Sequence, residues 1–539
     1  MNIFMMVSIL AGLLIVLPLL NILVEIRHPA NENWHHIREF LLLEYVTNTL
    51  VLIFFVALLS CLIGLSSAYL ISRYEFKGRK LLSWMLILPL AVPSYIAGYV
   101  YADMFSYTGT FMRFLRFFNL DFEFSIMNLF GATVLFTLTL YPYVYMMARS
   151  ALEKQSASYI ESAMTLGAKP LRRFFSVTLP LLRPALVVGT TLVVLETLND
   201  FGLVEYFNVR VFSFAIFDAW FSLGDVVTAI RLSAYLMLIV FFIVFAEKAL
   251  RGSKRYHIHA KTKPLKRQNL SKSKHIIVII SLGLIVALGF FIPLLQLGYY
   301  FVLTFQSFYR DDFFFALLNT LSISIFATFL VIIIALFIAN FNRGKSSNTK
   351  KAWLKITTLG YAIPGAIIAI AVNRFFIDLD HLLYPLYLLF NENSAKLVLS
   401  LSLSMLIFAY VLRFMAIGYN TIEASYDKIG ETFTEASYVL KKGKFKTLLK
   451  IDLPLLRTGL ISASIIVFID VIKELPLTLI LRPANYQTLA SITYEYVSEE
   501  MLQEASTSAL TLILIGSILI YLLTHQKKTK GAEGLVRKY

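Results

Sequence analysis

A chain of 539 residues that is 58% hydrophobic and 15% charged, with a mean hydropathy of +0.73, carries far more hydrocarbon than a soluble core can hide. The formal net charge of +16 raises nucleic-acid binding, but the basic residues lie in short runs between long apolar stretches, which excludes it. One cysteine, Cys61, excludes an intrachain disulfide, and its place inside an apolar stretch reads as a small core residue.

Helix-length apolar stretches fall near 4–24, 48–71, 83–104, 126–147, 182–205 and 228–249, then near 277–304, 319–341, 356–376, 396–417, 456–480 and 505–524. None alternates as a barrel strand does, so helices must satisfy the backbone in lipid. The expected fold is an all-α polytopic membrane protein of about twelve spans. The first stretch reads as a span rather than a signal peptide, because no Lys or Arg precedes it and no small-residue cleavage site follows. If the basic run near 250–275 is cytoplasmic and the spans alternate, the inside segments hold 38 of the 49 Lys and Arg. That bias predicts a multi-pass protein with both termini in the cytoplasm.

Taken in chain order, "WHHIREF" at 34–40 sets His35, His36 and Glu39 in a loop on the outer side, read as solvated or as a docking surface rather than a metal site. "TNTLVLIF" at 47–54 and "LAVPSYIAG" at 90–98 follow, and Pro93 is expected to break or kink its span. Next comes "YIESAMTLGAKPLRRFFSVTLPLLRPAL" at 159–186, amphipathic at helical spacing: Leu166, Phe174, Val177 and Leu181 offer apolar contact while Lys169, Arg172 and Arg173 stay polar. Gly167 permits a bend between two short helices, and Pro180 suits the first turn of the span that follows. Thirteen or more residues into that span, "LETLNDFG" places Glu196, Asn199 and Asp200 on one helix face within the bilayer.

The polar run at 251–274 then separates two sets of six spans, and the landmarks recur. "LNTLSISI" at 318–325 and "YAIPGAIIA" at 361–369, with Pro364, answer at an offset of 271. "FTEASYVLKKGKFKTLLKIDLPLLRTGL" at 433–460 and "IDVIKELP", with Asp470, Lys473 and Glu474, answer at 274. Ordered landmarks at nearly one spacing indicate two parallel six-helix repeats: 1–250 with a cytoplasmic loop at about 152–180, and 275–526 with a loop at about 424–454. Residues 251–274 form a basic linker and 527–539 a basic cytoplasmic tail.

Two readings of the intramembrane charges stand side by side. They line a path, with Glu196, Asp200, Asp470 and Glu474 making transient contacts to hard cations such as ferric or calcium ions, or they lock the halves, with Lys473 paired to Glu196 or Asp200. No firm resident metal site is expected. Arg231 and Arg413, near span ends, read as snorkelling anchors. "ANFNRGKSS" at 339–347 holds Gly344, Lys345 and Ser346 like a P-loop, but Ala339 replaces its first glycine and a membrane helix precedes it. No nucleophile with an activating base is present, so an enzyme is not expected.

Glu161-Ser162-Ala163, Gly167 and Leu179-Pro180 resemble the "EAA" loop of binding-protein-dependent ABC transporter permeases, and Glu435-Ala436-Ser437 with Leu453-Pro454 repeats it. Lys441 stands where the pattern has glycine, with Gly443 two places on, and Thr458 replaces Pro184, so the second loop is expected to be shaped differently. The resemblance implies that these loops are coupling helices docking on a cytoplasmic ABC ATPase dimer, with ATP and Mg held by that partner and no cofactor on this chain. "ETLNDFGLVEYF" at 196–207, "DAWFSLGD" at 218–225 and "DVIKELPLTLILRPANYQTLA" at 470–490 are similar to the ferric iron permease subfamily. That implies import of Fe(III), delivered by an extracytoplasmic ferric-ion-binding protein, across a bacterial inner membrane. The same architecture with thiamine, a polyamine or an inorganic anion as cargo is one alternative, and an ion-coupled secondary transporter is another.

Overall fold

A computed structural model describes residues 3–25, 29–120, 124–251, 266–343, 353–354, 357–430, 432–441 and 443–525. Most of the expected linker, the whole expected tail, and Gly344, Lys345 and Ser346 lie outside the described residues.

The chain is an all-α membrane protein whose helices come in two matching series. The first is α1 (Ile3–Glu25), α2 (Leu42–Arg73), α3 (Ser94–Met104), α4 (Leu129–Lys154), α5 (Ala157–Thr165), α6 (Leu179–Asn199), α7 (Gly202–Tyr206) and α8 (Val226–Arg251). The second is α9 (Lys272–Leu303), α10 (Asp311–Asn342), α11 (Gly365–Phe390), α12 (Leu403–Ile429), α13 (Thr432–Val439), α14 (Leu453–Ile472), α15 (Pro476–Leu481) and α16 (Leu502–His525). Among the described residues, a two-residue parallel pair, Tyr74-Glu75 with Gln268-Asn269, is the only extended pairing.

Each of the twelve apolar stretches holds a helix, but among the described residues nine helices are long and apolar enough to cross a membrane alone. The pair Arg79–Ala91 and Ser94–Met104 meets the same criteria only together and is bent by 89°, the geometry of a broken span or a re-entrant loop. Of the rest, α1 has 23 residues, and α11 carries Arg374, Asp378 and Asp380 within its 26. The bend confirms the break expected at Pro93. A short 3₁₀ turn, Leu88–Ala91, ends there, and Pro93 at φ −56° and ψ 138° opens α3. Pro364 does the same for α11 after Leu359–Ala362. Proline without an N–H loses nothing at such a start.

Two compact units result, and they cross the order of the sequence. One joins residues 30–305 with 496–514, and the other joins 1–29 and 306–495 with 515–539. In the first unit α2, α4 and α6 pack mutually, and α9 lies against α3 and α4. In the second α10, α12 and α14 pack mutually, and α1 lies against α10 and α11. The opening helix of each repeat therefore packs on the body of the other repeat. Small residues allow the close helix crossings that lipid-solvated helices need. A Cβ on Gly64 of α2 would stand 2.7 Å from Val144 Cβ, and one on Gly189 of α6 would stand 2.9 Å from Val144 Cα.

The repeated Asn-Thr landmark has a structural role. Asn48 Nδ2 donates to the Arg210 carbonyl at 3.0 Å, and Thr49 Oγ1 accepts the Phe212 N–H at 3.1 Å. In the second repeat Asn319 Nδ2 donates to the Gln487 carbonyl at 3.0 Å, and Thr320 Oγ1 accepts the Leu489 N–H at 2.8 Å. Each pair fastens the loop that follows a broken helix to a helix of 32 residues. Other loops are held by buried carboxylates. Asp380 accepts from the Leu399 N–H at 3.0 Å, the Ser400 N–H at 2.8 Å and the Ser400 hydroxyl at 2.6 Å. Asp225 caps α8 through the Thr228 N–H at 3.0 Å and takes Asn33 Nδ2 at 3.0 Å and Asn31 Nδ2 at 2.5 Å.

Burial alone would raise the Asp225 pKa, but the Thr228, Asn33 and Asn31 hydrogen bonds outweigh it and hold the carboxyl below its ordinary 3.8. A depressed folded-state pKa means stabilisation that is complete above the ordinary value and fades as pH falls through the lowered one. Asp225→Ala should therefore cost roughly 1–2 kcal/mol at neutral pH, with the difference from wild type shrinking below pH ~4. Unfolding of the purified protein across pH measures it; a difference that stays constant down to pH ~3 would contradict the assignment.

Candidate coupling elements and intramembrane acidic breaks

Two local structures recur with the same backbone. In the first repeat Ser156 caps α5, whose Ala157, Ile160 and Ala163 are buried while Glu161 and Ser162 are exposed. The chain then turns at Gly167, φ +74°, and enters a new helix through Lys169, φ −64° and ψ 156°. In the second repeat α13 exposes Glu435 and Ala436 and buries Ser437. It turns at Lys441, φ +54°, and re-enters a helix through Gly443, φ −65° and ψ 153°. Lys441 thus takes the left-handed conformation of its counterpart Gly167. The expectation of a differently shaped second loop is corrected: backbone geometry is kept although the residue is not glycine.

Two further expectations change. The prolines do not begin the spans. The helix starts at Pro170 and runs on to Asn199, and in the second repeat it runs from Lys444 to Ile472. A five-residue π turn, Phe174–Thr178 or Leu448–Asp452, precedes Leu179-Pro180 and Leu453-Pro454. The wider turn accommodates a residue that lacks an N–H and whose ring would strike the carbonyl four residues earlier. The EAA-type helix is consequently followed by one uninterrupted rod. Leu166 was expected to pack, yet it is 86% exposed, and its counterpart Leu440 is 70% exposed. Each knob therefore presents an apolar tip.

In the second repeat the knob is tied down by Asp452, inside the phrase "IDLPLLRTGL" but not singled out by sequence reasoning. Its Oδ1 lies 3.1 Å from Arg343 Nη1 and accepts Thr434 Oγ1 at 3.2 Å, and its Oδ2 accepts Asn340 Nδ2 at 3.3 Å. Ser437 and Thr447 hydroxyls meet at 2.8 Å. One carboxylate thus joins the end of α10, the start of α13 and the foot of α14. The polar pattern Asn-x-x-Arg at the end of α10 was its only sequence signal.

The acidic clusters mark helix breaks. α6 ends at Asn199, and Asp200 Oδ1 accepts the Leu203 N–H at 2.9 Å, capping α7. Ser94, which opens α3, hydrogen bonds to Asp200 and lies 3.1 Å from Thr139 Oγ1. In the second repeat α14 ends at Ile472, and Glu474 Oε2 accepts the Leu477 N–H at 2.9 Å and the Thr478 N–H at 3.4 Å, capping α15. Its Oε1 stands 3.9 Å from Arg413 Nε, both side chains being buried. Arg413 occupies the place of Thr139 at the offset of 274. It is no snorkelling anchor: it is 4% exposed and sits beside a buried carboxylate, the pairing that makes a charge tolerable in a span. Arg231 lies 5.4 Å over the Trp34 ring. Lys473 Nζ pairs with Asp470 Oδ1 at 2.8 Å, one helical turn away. Glu196 and Asn199 are half-buried on α6. His35 and His36 are exposed, and no group of three or more metal-binding side chains occurs among the described residues.

Comparison with known families agrees with this duplicated geometry. The profile of the binding-protein-dependent transport system inner membrane component family matches residues 60–251 and, a second time, residues 331–526. The chain belongs to that family. As a permease it is 26% identical over 487 residues to the Fe(3+)-transport system permease protein FbpB 2 of Haemophilus influenzae, covering 89% of each chain. It is 25% identical to the putative ferric transport system permease protein FbpB 1 of the same organism, over 79% of this chain and 68% of that one. The sulfate transport system permease protein CysT of Salmonella typhimurium is 35% identical over 158 residues, 29% of the permease and 56% of CysT. The permease is a multi-pass inner-membrane transport component.

The shared left-handed turn gives a direct test. Lys441→Gly should stabilise the permease by about 0.5–1 kcal/mol, because glycine removes the steric cost of a positive φ, and Gly167→Ala should destabilise it by about 1 kcal/mol. Reversible detergent-induced unfolding measures both. Loss of stability in Lys441→Gly would contradict the common backbone.

Proposed function

We propose that the permease is the fused channel subunit of an ABC importer for ferric iron, delivered by an extracytoplasmic ferric-ion-binding protein. ATP is hydrolysed with Mg on a separate ATPase dimer. Both termini, α5 and α13 face the cytoplasm, as the bias of Lys and Arg requires. Glu161, Ser162 and Gly167 on one knob, and Glu435, Ala436 and Gly443 on the other, meet the ATPase, with Leu166 and Leu440 as exposed apolar contacts, while the buried Ala163 and Ser437 pack the knobs from within. Movement passes along the rods through Pro180 and Pro454 to the acidic breaks.

The observation that carries the reading is the double recurrence of an EAA-type knob fused to a helix that ends at an intramembrane carboxylate. For cargo, support comes from the relative named for Fe(3+) transport, which covers 89% of this chain, against 29% for the sulfate permease. Glu196 and Asp200 at the first break also suit a hard cation, whereas Asp470 and Glu474 at the second stand beside Lys473 and Arg413. Glu196 and Asp200, and Asp470 and Glu474, are the residues proposed to meet Fe(III) in passage, as cargo rather than as a resident metal. The neighbours Asn199 and Lys473 set their positions. Arg413 partly neutralises Glu474, so the first repeat carries the stronger pull on a cation.

Reconstitution in proteoliposomes with the ATPase and the binding protein tests this. Fe(III) should enter only with ATP, and Glu161→Ala with Glu435→Ala should lower uptake roughly tenfold or more without loss of folded protein. Sulfate uptake without iron uptake would overturn the cargo. Uptake driven by an ion gradient without ATP would overturn the class.

A further inference from the structure

Beside α5 lies a cavity of about 400 Å³ that the transport reading does not use. Its walls are the end of α2 with Ser72 and Arg73, Gln155 just past α4, Ile160 of α5, Arg173 at the foot of the rod, and Arg267. Arg267 is held there by the parallel pairing of Tyr74-Glu75 with Gln268-Asn269 and lies 3.6 Å from Glu75 Oε2. Three guanidinium groups thus face one lining carboxylate, Glu153, which already accepts Arg149 Nε at 2.9 Å. The cavity has a positive excess.

Three of its polar side-chain atoms have no hydrogen-bond partner among the described residues. Gln155 is 9% exposed, and its Nε2 is buried without a hydrogen-bond partner among the described residues. The same holds for Arg173 Nη1 and Ser72 Oγ. Natural proteins rarely bury donors in this state, and such a set calls for an acceptor. Guanidinium groups with an amide N–H and a hydroxyl form the donor set that recognises phosphoryl oxygens. The volume falls within the range of roughly 300–1,000 Å³ typical of small-ligand sites.

We propose that this cavity binds the phosphoryl group of an anionic ligand, either a phospholipid headgroup or a free phosphate compound. The proposal is independent of cargo and of coupling. A phosphoryl group there joins α5 to the ends of α2 and α4 and to the linker segment at Arg267, and so stiffens the first knob.

Two probes applied to the purified full-length permease test it. Inorganic phosphate is titrated calorimetrically, and phosphatidylglycerol retained from phosphatidylglycerol-containing membranes is counted by native mass spectrometry. Saturable phosphate binding without retained lipid identifies a free ligand, and about one retained lipid per chain identifies a headgroup. Arg173→Gln combined with Gln155→Leu should weaken whichever probe binds on the order of tenfold or more, while Arg172→Gln, on the exposed neighbour, binds as wild type. Ser72→Ala with Arg73→Gln tests the opposite wall should the first pair fail to fold. The proposal is overturned if neither probe binds the wild type, if the cavity variants bind as well as wild type, or if Arg172→Gln weakens binding equally.

Discussion

A backbone that leaves helical geometry inside hydrocarbon must find new partners for its freed N–H and C=O groups. This permease breaks its helices at four related places, and each break has a supplied solution. At Pro93 and Pro364 the missing donor is proline's own. At Asp200 and Glu474 a carboxylate accepts the first N–H groups of the next short helix. The same acid therefore performs two tasks. It stabilises the start of the next short helix from the residue before the N-cap, by accepting N–H groups of the first turn, and under the proposed transport it meets a cation in transit.

Duplication kept the backbone and let the chemistry around it diverge. Asp200 is held by neutral donors, the Leu203 N–H and the Ser94 hydroxyl, whereas Glu474 stands beside the Arg413 guanidinium. Glycine makes the left-handed turn in one knob and lysine in the other. Asp452, tied to Arg343, fastens the second knob, while Thr178, its counterpart at the offset of 274, is an uncharged buried residue. The knobs share a shape and differ in how each is anchored. A phosphoryl ligand beside the first knob would supply there the kind of ionic tie that Asp452 and Arg343 supply beside the second.

The sequence shows whatever is local and repeated. Hydropathy locates the long apolar helices but not the short ones such as α5 and α13. The offsets of 271 and 274 locate the knobs, the proline breaks and the acidic clusters, because a duplicated backbone keeps its turn residues. That α6 and α14 end at those clusters, instead of carrying all their polar residues on one helix face, is not legible. Long-range facts are not legible. No periodicity says that α1 packs with the second repeat's body and α9 with the first's, since apolar faces do not name their partners in lipid. The sequence places Arg413 near a span end because the apolar stretch stops at about 417. α12 in fact runs from Leu403 to Ile429 and carries the guanidinium into the interior. The π turns were equally hidden. Proline suggests a helix start, and only the continuous rod shows that a widened turn has absorbed it.

The account rests on the two knobs being the handles through which the permease is driven. Single cysteines at positions 161 and 435, in a Cys61→Ser background, can be crosslinked in membranes that also contain the cognate ATPase. The account predicts that both positions crosslink to the ATPase subunit and that the yield changes when ATP is trapped before hydrolysis. Failure of both positions to reach that subunit, with the complex intact, would contradict it.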